Sequence, residues 1–268
     1  MRRATGTMHD LRTNLLKKNA ALDLIDAFRR ALSACRASAD VHLIVDGARR
    51  AALDLQGAPE DRPYLARTLC QFATALRRSG STDAAVELLE WTLGSGIQDA
   101  FLHTELVMCH LVLDRLDAAR EALHRAEAAG AVGEAMYAGL IGAYGRASRF
   151  TEAQQVFERA AAQGVCGSYA HTALIDACVK AGDLSRARLV LTGAQAAGRV
   201  DTASYTALLR GYIRAGRAAE IARLGREADD AGLMNDVMRT TVTQVLHRAG
   251  RTRQANRFRR RAAHRVAS

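Results

Sequence analysis

The sequence contains little of what many protein classes require. Its 268 residues include only 2 prolines, 5% aromatic residues and 5 cysteines. No run of about 18 apolar residues occurs, so a membrane span is not expected. The odd number of cysteines and the absence of a C-x-x-C motif argue against a disulfide scaffold or a structural zinc site, and favour a reducing compartment.

Catalytic motifs are also lacking. His103 and Glu105 have the H-x-E form of zinc deaminases, but no P-C-x-x-C follows them. There is no H-E-x-x-H, no glycine-rich phosphate loop and no G-x-S-x-G. The sequence therefore predicts a protein that is not an enzyme, with no cofactor, no metal and no small-molecule substrate.

The positive charge is unevenly distributed. The formal net charge is +10, yet residues 64–250 contain 20 basic and 20 acidic side chains. The stretch RTRQANRFRRRAAHRVAS, residues 251–268, has seven arginines and no acid. Such an end either holds phosphates or forms a solvated helix face, and the composition is equally consistent with both.

An internal repeat of 34 residues organises the chain from residue 66. TALIDACVKAG begins at Thr172 and TALLRGYIRAG at Thr206. We place six units at 66–99, 100–133, 134–167, 168–201, 202–235 and 236–268, and number positions within them from 1. Three positions recur in residue type. Position 7 is large and apolar (Phe72, Leu106, Leu140, Leu174, Leu208, Val242), position 20 is mostly alanine (Ala85, Ala119, Ala153, Ala187, Ile221, Ala255), and position 31 is glycine in the first five units (Gly96, Gly130, Gly164, Gly198, Gly232).

Each recurring position has a physical reason. A large position 7 packs on one helix, and a small position 20 lets a second helix approach it. Glycine at position 31 ends the second helix, and position 15, at the end of the first helix, is often glycine as well (Gly80, Gly182, Gly216, Gly250). One such hairpin cannot bury its apolar faces alone, so neighbours must stack. The pattern predicts an all-α fold of stacked helical hairpins.

The units resemble pentatricopeptide repeats. The tetratricopeptide family is the competing interpretation, and position 8 distinguishes the two families. Tetratricopeptide units usually have a small residue there, whereas most units of this chain have a large one (Val107, Ile141, Ile175, Leu209). The resemblance covers about residues 66–268 and implies a right-handed superhelical α-solenoid. It further implies binding of single-stranded RNA, with one base per repeat, in RNA processing, stability or translation.

In this family, position 5 and the last residue of a unit choose the base. The fourth unit carries Thr172 and Asp201, which the resemblance assigns to guanine, since a carboxylate only accepts hydrogen bonds. The fifth carries Thr206 and Asn235, assigned to adenine. The expected reading is G followed by A. Other units depart from the pattern: Cys70 pairs with Asp99, Thr104 with Gly133, Ala138 with Gly167, and Thr240 has no following partner.

Position 13 is a cation in five units: Arg78, Arg146, Lys180, Arg214 and Arg248. It lies eight residues after position 5, which places both on roughly one helix face. We expect these cations to form a stripe that follows a phosphate chain, although a cation near a helix C-terminus is also favoured by the helix dipole. Position 2, which packs beside a base in the family, is Phe101, Tyr169 or Val237 in alternate units.

Residues 1–65 do not keep the repeat register. We interpret them as a helical cap or a degenerate repeat, with a basic extreme N-terminus that faintly resembles a mitochondrial targeting segment. If the source is eukaryotic, a mitochondrion or another organelle is the expected location, and bacterial cytoplasm or delivery to a host cell is the alternative. The second and third units end in glycine, which has no side chain to contact a base. A second function therefore stays open, that of a scaffold that binds proteins or of a subunit of a ribonucleoprotein assembly.

Overall fold

The computed structural model describes residues 41–42, 45–49 and 62–267. Every regular element among these residues is helical, which confirms the predicted all-α class. Twelve helices follow residue 61: α1 Arg62–Arg78, α2 Thr82–Gly94, α3 Ala100–Val112, α4 Leu116–Ala128, α5 Glu134–Arg146, α6 Phe150–Ala162, α7 Ser168–Ala181, α8 Leu184–Ala196, α9 Thr202–Arg214, α10 Ala218–Asp230, α11 Asp236–Arg248 and α12 Thr252–Ala267.

The described residues form two compact units, which are divided between Met136 and Tyr137. In the first, α1 packs against α2 and α3, and α3 packs against α4. In the second, α7 contacts both α8 and α9, and α11 contacts α12. The odd-numbered helices from α3 to α11 begin 34 residues apart, at residues 100, 134, 168, 202 and 236. The first helices α1 and α7 therefore each pack on their own partner and on the next first helix.

The core is made of the recurring apolar positions. All six residues at position 7 are buried, and all six at position 20 have no exposed surface. Two glycines extend this close packing in residues 137–268. A Cβ on Gly145 of α5 would lie 2.6 Å from the Cβ and 3.0 Å from the Cα of Ala177 in α7, and one on Gly211 of α9 would lie 2.6 Å from Leu184 Cδ2. At Gly145 only hydrogen fits, because the near atoms include backbone, whereas at Gly211 the Leu184 side chain would have to shift.

The first helices end in the same left-handed turn even where glycine is missing. Asp114 (φ 56°) and Ser148 (φ 59°) occupy position 15 in the second and third hairpins, where the fourth has Gly182 (φ 80°). The next residue closes each turn, as where Arg115 N donates to His110 O at 2.9 Å. Asp and Ser accept this conformation at a cost that glycine avoids.

The predicted N-terminal cap, residues 1–65, and the predicted targeting segment lie outside the described residues, apart from 41–42, 45–49 and 62–65. Helix α1 begins at Arg62, four residues before the predicted start of the first unit. Within the described part of the chain, no helix combines the length and apolar character that crossing a membrane requires.

Candidate nucleic-acid interface

Three of the predicted base-reading residues cap the helices that follow them. The side chain of Asp99 accepts from Phe101 N at 2.7 Å, that of Asp201 from Ser204 N at 2.8 Å, and that of Asn235 from Met238 N at 2.8 Å. Asp and Asn are favoured at this position because their oxygens satisfy backbone N–H groups at the start of a helix. Asp99, Asp201 and Asn235 thus each stabilise the start of a helix, whether or not they also contact RNA.

The structure brings Thr172 and Asp201 together through a third side chain. Ser204 Oγ lies 2.9 Å from Asp201 Oδ1 and 2.7 Å from Thr172 Oγ1, and Thr172 Oγ1 is itself 3.3 Å from Asp201 Oδ1. Ser204 and Thr172 share a hydrogen bond in which either hydroxyl can donate, and each hydroxyl also lies within hydrogen-bond distance of Asp201. Every bond to Asp201 uses Oδ1. Oδ2 of Asp201 accepts no hydrogen bond from the described residues, so this half-buried carboxylate presents a fixed acceptor.

Ser204 is a functional candidate that the sequence analysis missed. It has no exposed surface and joins both partners of the predicted guanine-reading pair. The sequence does predict part of this arrangement. Asp201 is the N-cap of a helix and Ser204 follows it by three residues, a spacing at which side chains of a helix start form hydrogen bonds. Only the packing of α9 against α7 shows that Ser204 also contacts Thr172.

Thr206 and Asn235 are arranged differently. Thr206 Oγ1 donates to Thr202 O at 2.8 Å within α9, and Asn235 uses Oδ1 for its cap. Among the described residues no hydrogen bond joins the two side chains. The amide nitrogen of Asn235 makes none there either, so Asn235 presents a donor where Asp201 presents an acceptor.

Two other residues predicted to contact bases, Thr104 and Cys70, bond to their own helix or to the next one. Thr104 Oγ1 donates to Ala100 O at 2.7 Å, and Cys70 Sγ lies 3.6 Å from Phe101 O. Burial, with the negative charges of Glu105 and Asp99, raises the pKa of the Cys70 thiol to about 11. Cys70 is therefore a neutral thiol at physiological pH. Thr240 lines a groove between α11 and α12.

The predicted cations at position 13 are all exposed, but they differ in their partners. Lys180 Nζ lies 2.7 Å from Asp176 Oδ2, and Asp176 Oδ1 also pairs with Arg210 at 2.9 Å. Arg214 Nη2 donates to Val179 O at 3.4 Å. Arg78, Arg146 and Arg248 form no ion pair with a described residue. Arg78 belongs to the first compact unit and the other four cations to the second, so the stripe is described for residues 146–248 only.

Position 2 is open to solvent. Phe101, Tyr169 and Val237 are 72%, 70% and 76% exposed, although side chains of this size at position 7 are buried. Arg67, Ala135 and Ala203 at the same position are exposed as well. Exposed aromatic side chains near the start of a first helix offer flat surfaces on which a base can stack. No group of three or more His, Cys, Asp or Glu that would hold a metal occurs in the described ranges.

Helical hairpins that stack at a 34-residue spacing, with capping and cationic side chains on their first helices, define this chain as an α-helical repeat protein. The PPR repeat family model matches residues 135–165, 169–192 and 203–233. These segments are pentatricopeptide repeats, which confirms the family predicted from the sequence. A comparison with curated protein sequences found no significant match.

Solved structures of similar fold include the pentatricopeptide repeat protein PPR10 from maize, at 17% identity over 84% of this chain and 33% of that chain, with a TM-score of 0.58. PPR10 in complex with an 18-nt psaJ RNA element aligns at 18% identity over 80% of this chain and 42% of that one, with a TM-score of 0.47. PilW, a type IV pilus biogenesis factor, has 16% identity, 72% and 90% coverage, and a TM-score of 0.50. The chain thus spans a third of the maize protein, and at these identities the likeness concerns the fold.

Proposed function

We propose that this protein binds single-stranded RNA along the exposed positions of its first helices, without catalysing a reaction. The observation that carries the proposal is the cluster of Thr172, Ser204 and Asp201, in which the buried serine fixes a half-buried carboxylate with one oxygen left over. A cap alone needs only the bond to Ser204 N. The pentatricopeptide repeats in residues 135–233 and the exposed residues at position 2 support the same function.

Base recognition follows from what each side chain presents. Oδ2 of Asp201 accepts hydrogen bonds, which suits the donor-rich Watson–Crick edge of guanine. The Asn235 amide donates through its nitrogen and accepts through the second lone pair of Oδ1, which suits adenine. The second and third units end in Gly133 and Gly167, which have no side chain to contact a base. We therefore propose one base per repeat in the fourth and fifth units, read as G then A, and weak specificity elsewhere.

Phosphates would be held by the position 13 cations that lack an acidic partner. Arg146 and Arg248 offer full charges, whereas Asp176 offsets the charge of Lys180. This predicts modest affinity with a clear dependence on salt, since each neutralised phosphate releases counterions. Action in RNA processing, stability or translation is consistent with such a binder.

Selection of the purified protein against a randomised single-stranded RNA pool, at two salt concentrations, tests the proposal. Enrichment of a G-A step with affinity that falls as salt rises is the expected result. Arg146→Gln should reduce the salt slope by about one charge. Arg186→Gln on α8 is the matched control, since it removes an exposed arginine from a second helix. Absence of RNA binding at low salt would contradict the proposal and favour a protein-binding scaffold.

A further inference from the structure

A groove of about 640 Å³ opens along α11 and α12. Its lining includes Arg239, Thr240, Gln244, Arg248 and Arg259, and no carboxylate is among the described residues that line it. Thr240 and Arg248 were each predicted to contact RNA. The other three were not, and neither the family resemblance nor the proposed function gives them a role.

Arg239 is the unusual member of this lining. It is only 8% exposed, and its Nη2 lies 3.1 Å from Oδ1 of Asp229, which is 2% exposed. Its Nε and Nη1 are buried and have no hydrogen-bond partner. A guanidinium carries five N–H donors, and a buried donor left unpaired is costly. Three N–H groups on these two nitrogens therefore lack an acceptor among the described residues, in a side chain that lines the groove, and an acceptor bound in the groove would meet this need.

The surroundings select an anion as that acceptor. The ion pair with Asp229 cancels the charge of Arg239, but Arg248 and Arg259 are exposed and neither pairs with a described acid. The hydroxyl of Thr240 and the amide of Gln244 add neutral donors. Phosphate is the group that best fits several converging donors with two net positive charges, because its oxygens accept short, charge-assisted hydrogen bonds.

We infer that this groove binds a phosphate group, with Arg239 supplying buried donors and Arg248 and Arg259 supplying charge. The phosphate comes either from a phosphodiester of bound RNA or from a free phosphate ion. The inference goes beyond the proposed function, because a free phosphate ion would bind here whether or not the first helices read RNA.

The test compares two arginines on α12. Arg259→Gln removes a charge that lines the groove, and Arg257→Gln removes an exposed charge from the same helix that does not. Inorganic phosphate is titrated into each variant at constant ionic strength, and amide NMR shifts of Thr240 and Gln244 report binding. A short single-stranded RNA, with natural or neutral methylphosphonate linkages, is titrated in parallel.

Arg259→Gln should weaken binding about two- to five-fold, as expected for the loss of one exposed charge contact, while Arg257→Gln leaves it unchanged. If this difference appears with inorganic phosphate, the site takes the free ion, even if RNA does not bind at all. If it appears only with RNA of natural linkage, the site takes a phosphodiester. Equal behaviour of the two variants toward both probes would overturn the inference.

Discussion

The N-terminal pair of hairpins, α1–α4, and the C-terminal pair, α7–α10, share the same buried positions and differ in the residues they present. Position 7 and position 20 are buried in both pairs. Position 5 and the last residue are Cys70 with Asp99 and Thr104 with Gly133 in the N-terminal pair, but Thr with Asp and Thr with Asn in the C-terminal pair. The two pairs thus share the residues that build the hairpins and differ in the residues that would contact RNA bases.

The two pairs also separate capping from recognition. Asp99 caps α3 as Asp201 caps α9, yet Asp99 faces a neutral thiol and Leu102 occupies the place of Ser204. The same acid therefore stands in two settings, one with a hydroxyl network and one without. An Asp at the end of a unit does not by itself indicate a base-reading site.

Packing provides the largest expected contrast. Added Cβ atoms meet nothing within 4 Å at Gly80, Gly94, Gly96, Gly130 and Gly133, whereas Gly145 is pressed against Ala177 of α7. Gly145→Ala should lower the free energy of unfolding by about 1–3 kcal/mol, because the clash includes backbone atoms. Denaturant unfolding measures this.

Gly142→Ala is the control for that change, since it lies in the same helix and its Cβ would approach only Arg146 Nη1, at 3.7 Å. It should stabilise the protein by about 0.5–1 kcal/mol through helix propensity. Similar effects of the two substitutions would show that the α5–α7 crossing is not close.

Acid should act on the N-terminal pair through two histidines of α3. Burial lowers the pKa of His103 and of His110, and Nδ1 of each is buried without a partner. The unfolded chain then takes up protons below about pH 6.5 that the folded chain refuses, so stability falls as the pH drops below that value. Amide exchange in α3, corrected for its intrinsic rate, should accelerate relative to α9, which has no histidine. Constant relative protection between pH 7.5 and 5 would contradict the assigned shifts.

Gly133→Asp should make the second hairpin resemble the fourth. Its Cβ meets nothing within 4 Å, so the carboxylate has room to cap α5 and to stand beside the repeat that carries Thr104. We expect a gain of a few tenths of a kcal/mol in stability and about 1 kcal/mol of new preference for guanine at the matching nucleotide. Melting and binding to RNA variants measure the two effects. Gly133→Ala is the control, and an equal preference in it would rule out the carboxylate as the reader.

Cys70→Thr should have the smallest effect of these substitutions on base preference. It converts Cys70 and Asp99 to the combination found at Thr172 and Asp201, but without a serine at the position of Leu102. We expect about 0.5 kcal/mol of added guanine preference at the nucleotide of the first repeat, because the hydroxyl orients the carboxylate less well alone. RNA competition binding measures it. A preference as strong as that of the fourth repeat would show that Ser204 is dispensable.

Much of this architecture follows from the sequence, since comparing one repeat with the next reveals both the apolar positions that are buried and the 34-residue spacing of the helices. An Asp that directly precedes a helix also predicts the capping role of Asp201, in addition to the contact with a base that the resemblance implies. The contact of Ser204 with Thr172 and the pair of Arg239 with Asp229 could not be predicted. Their contacts join residues of different helices, and a single sequence does not show which of many polar side chains will meet after packing.

The most direct test exchanges the two last residues, Asp201→Asn together with Asn235→Asp. Both residues cap a helix about equally well, so the melting temperature should change little. We expect the preferred step to change from G-A to A-G in competition binding with RNAs that differ only there, by about 1–3 kcal/mol at the nucleotide of the fourth repeat and by about 0.5 kcal/mol at that of the fifth, where Met238 stands in the place of Ser204. An unchanged preference in a variant of unchanged stability would mean that Asp201 and Asn235 serve only as helix caps.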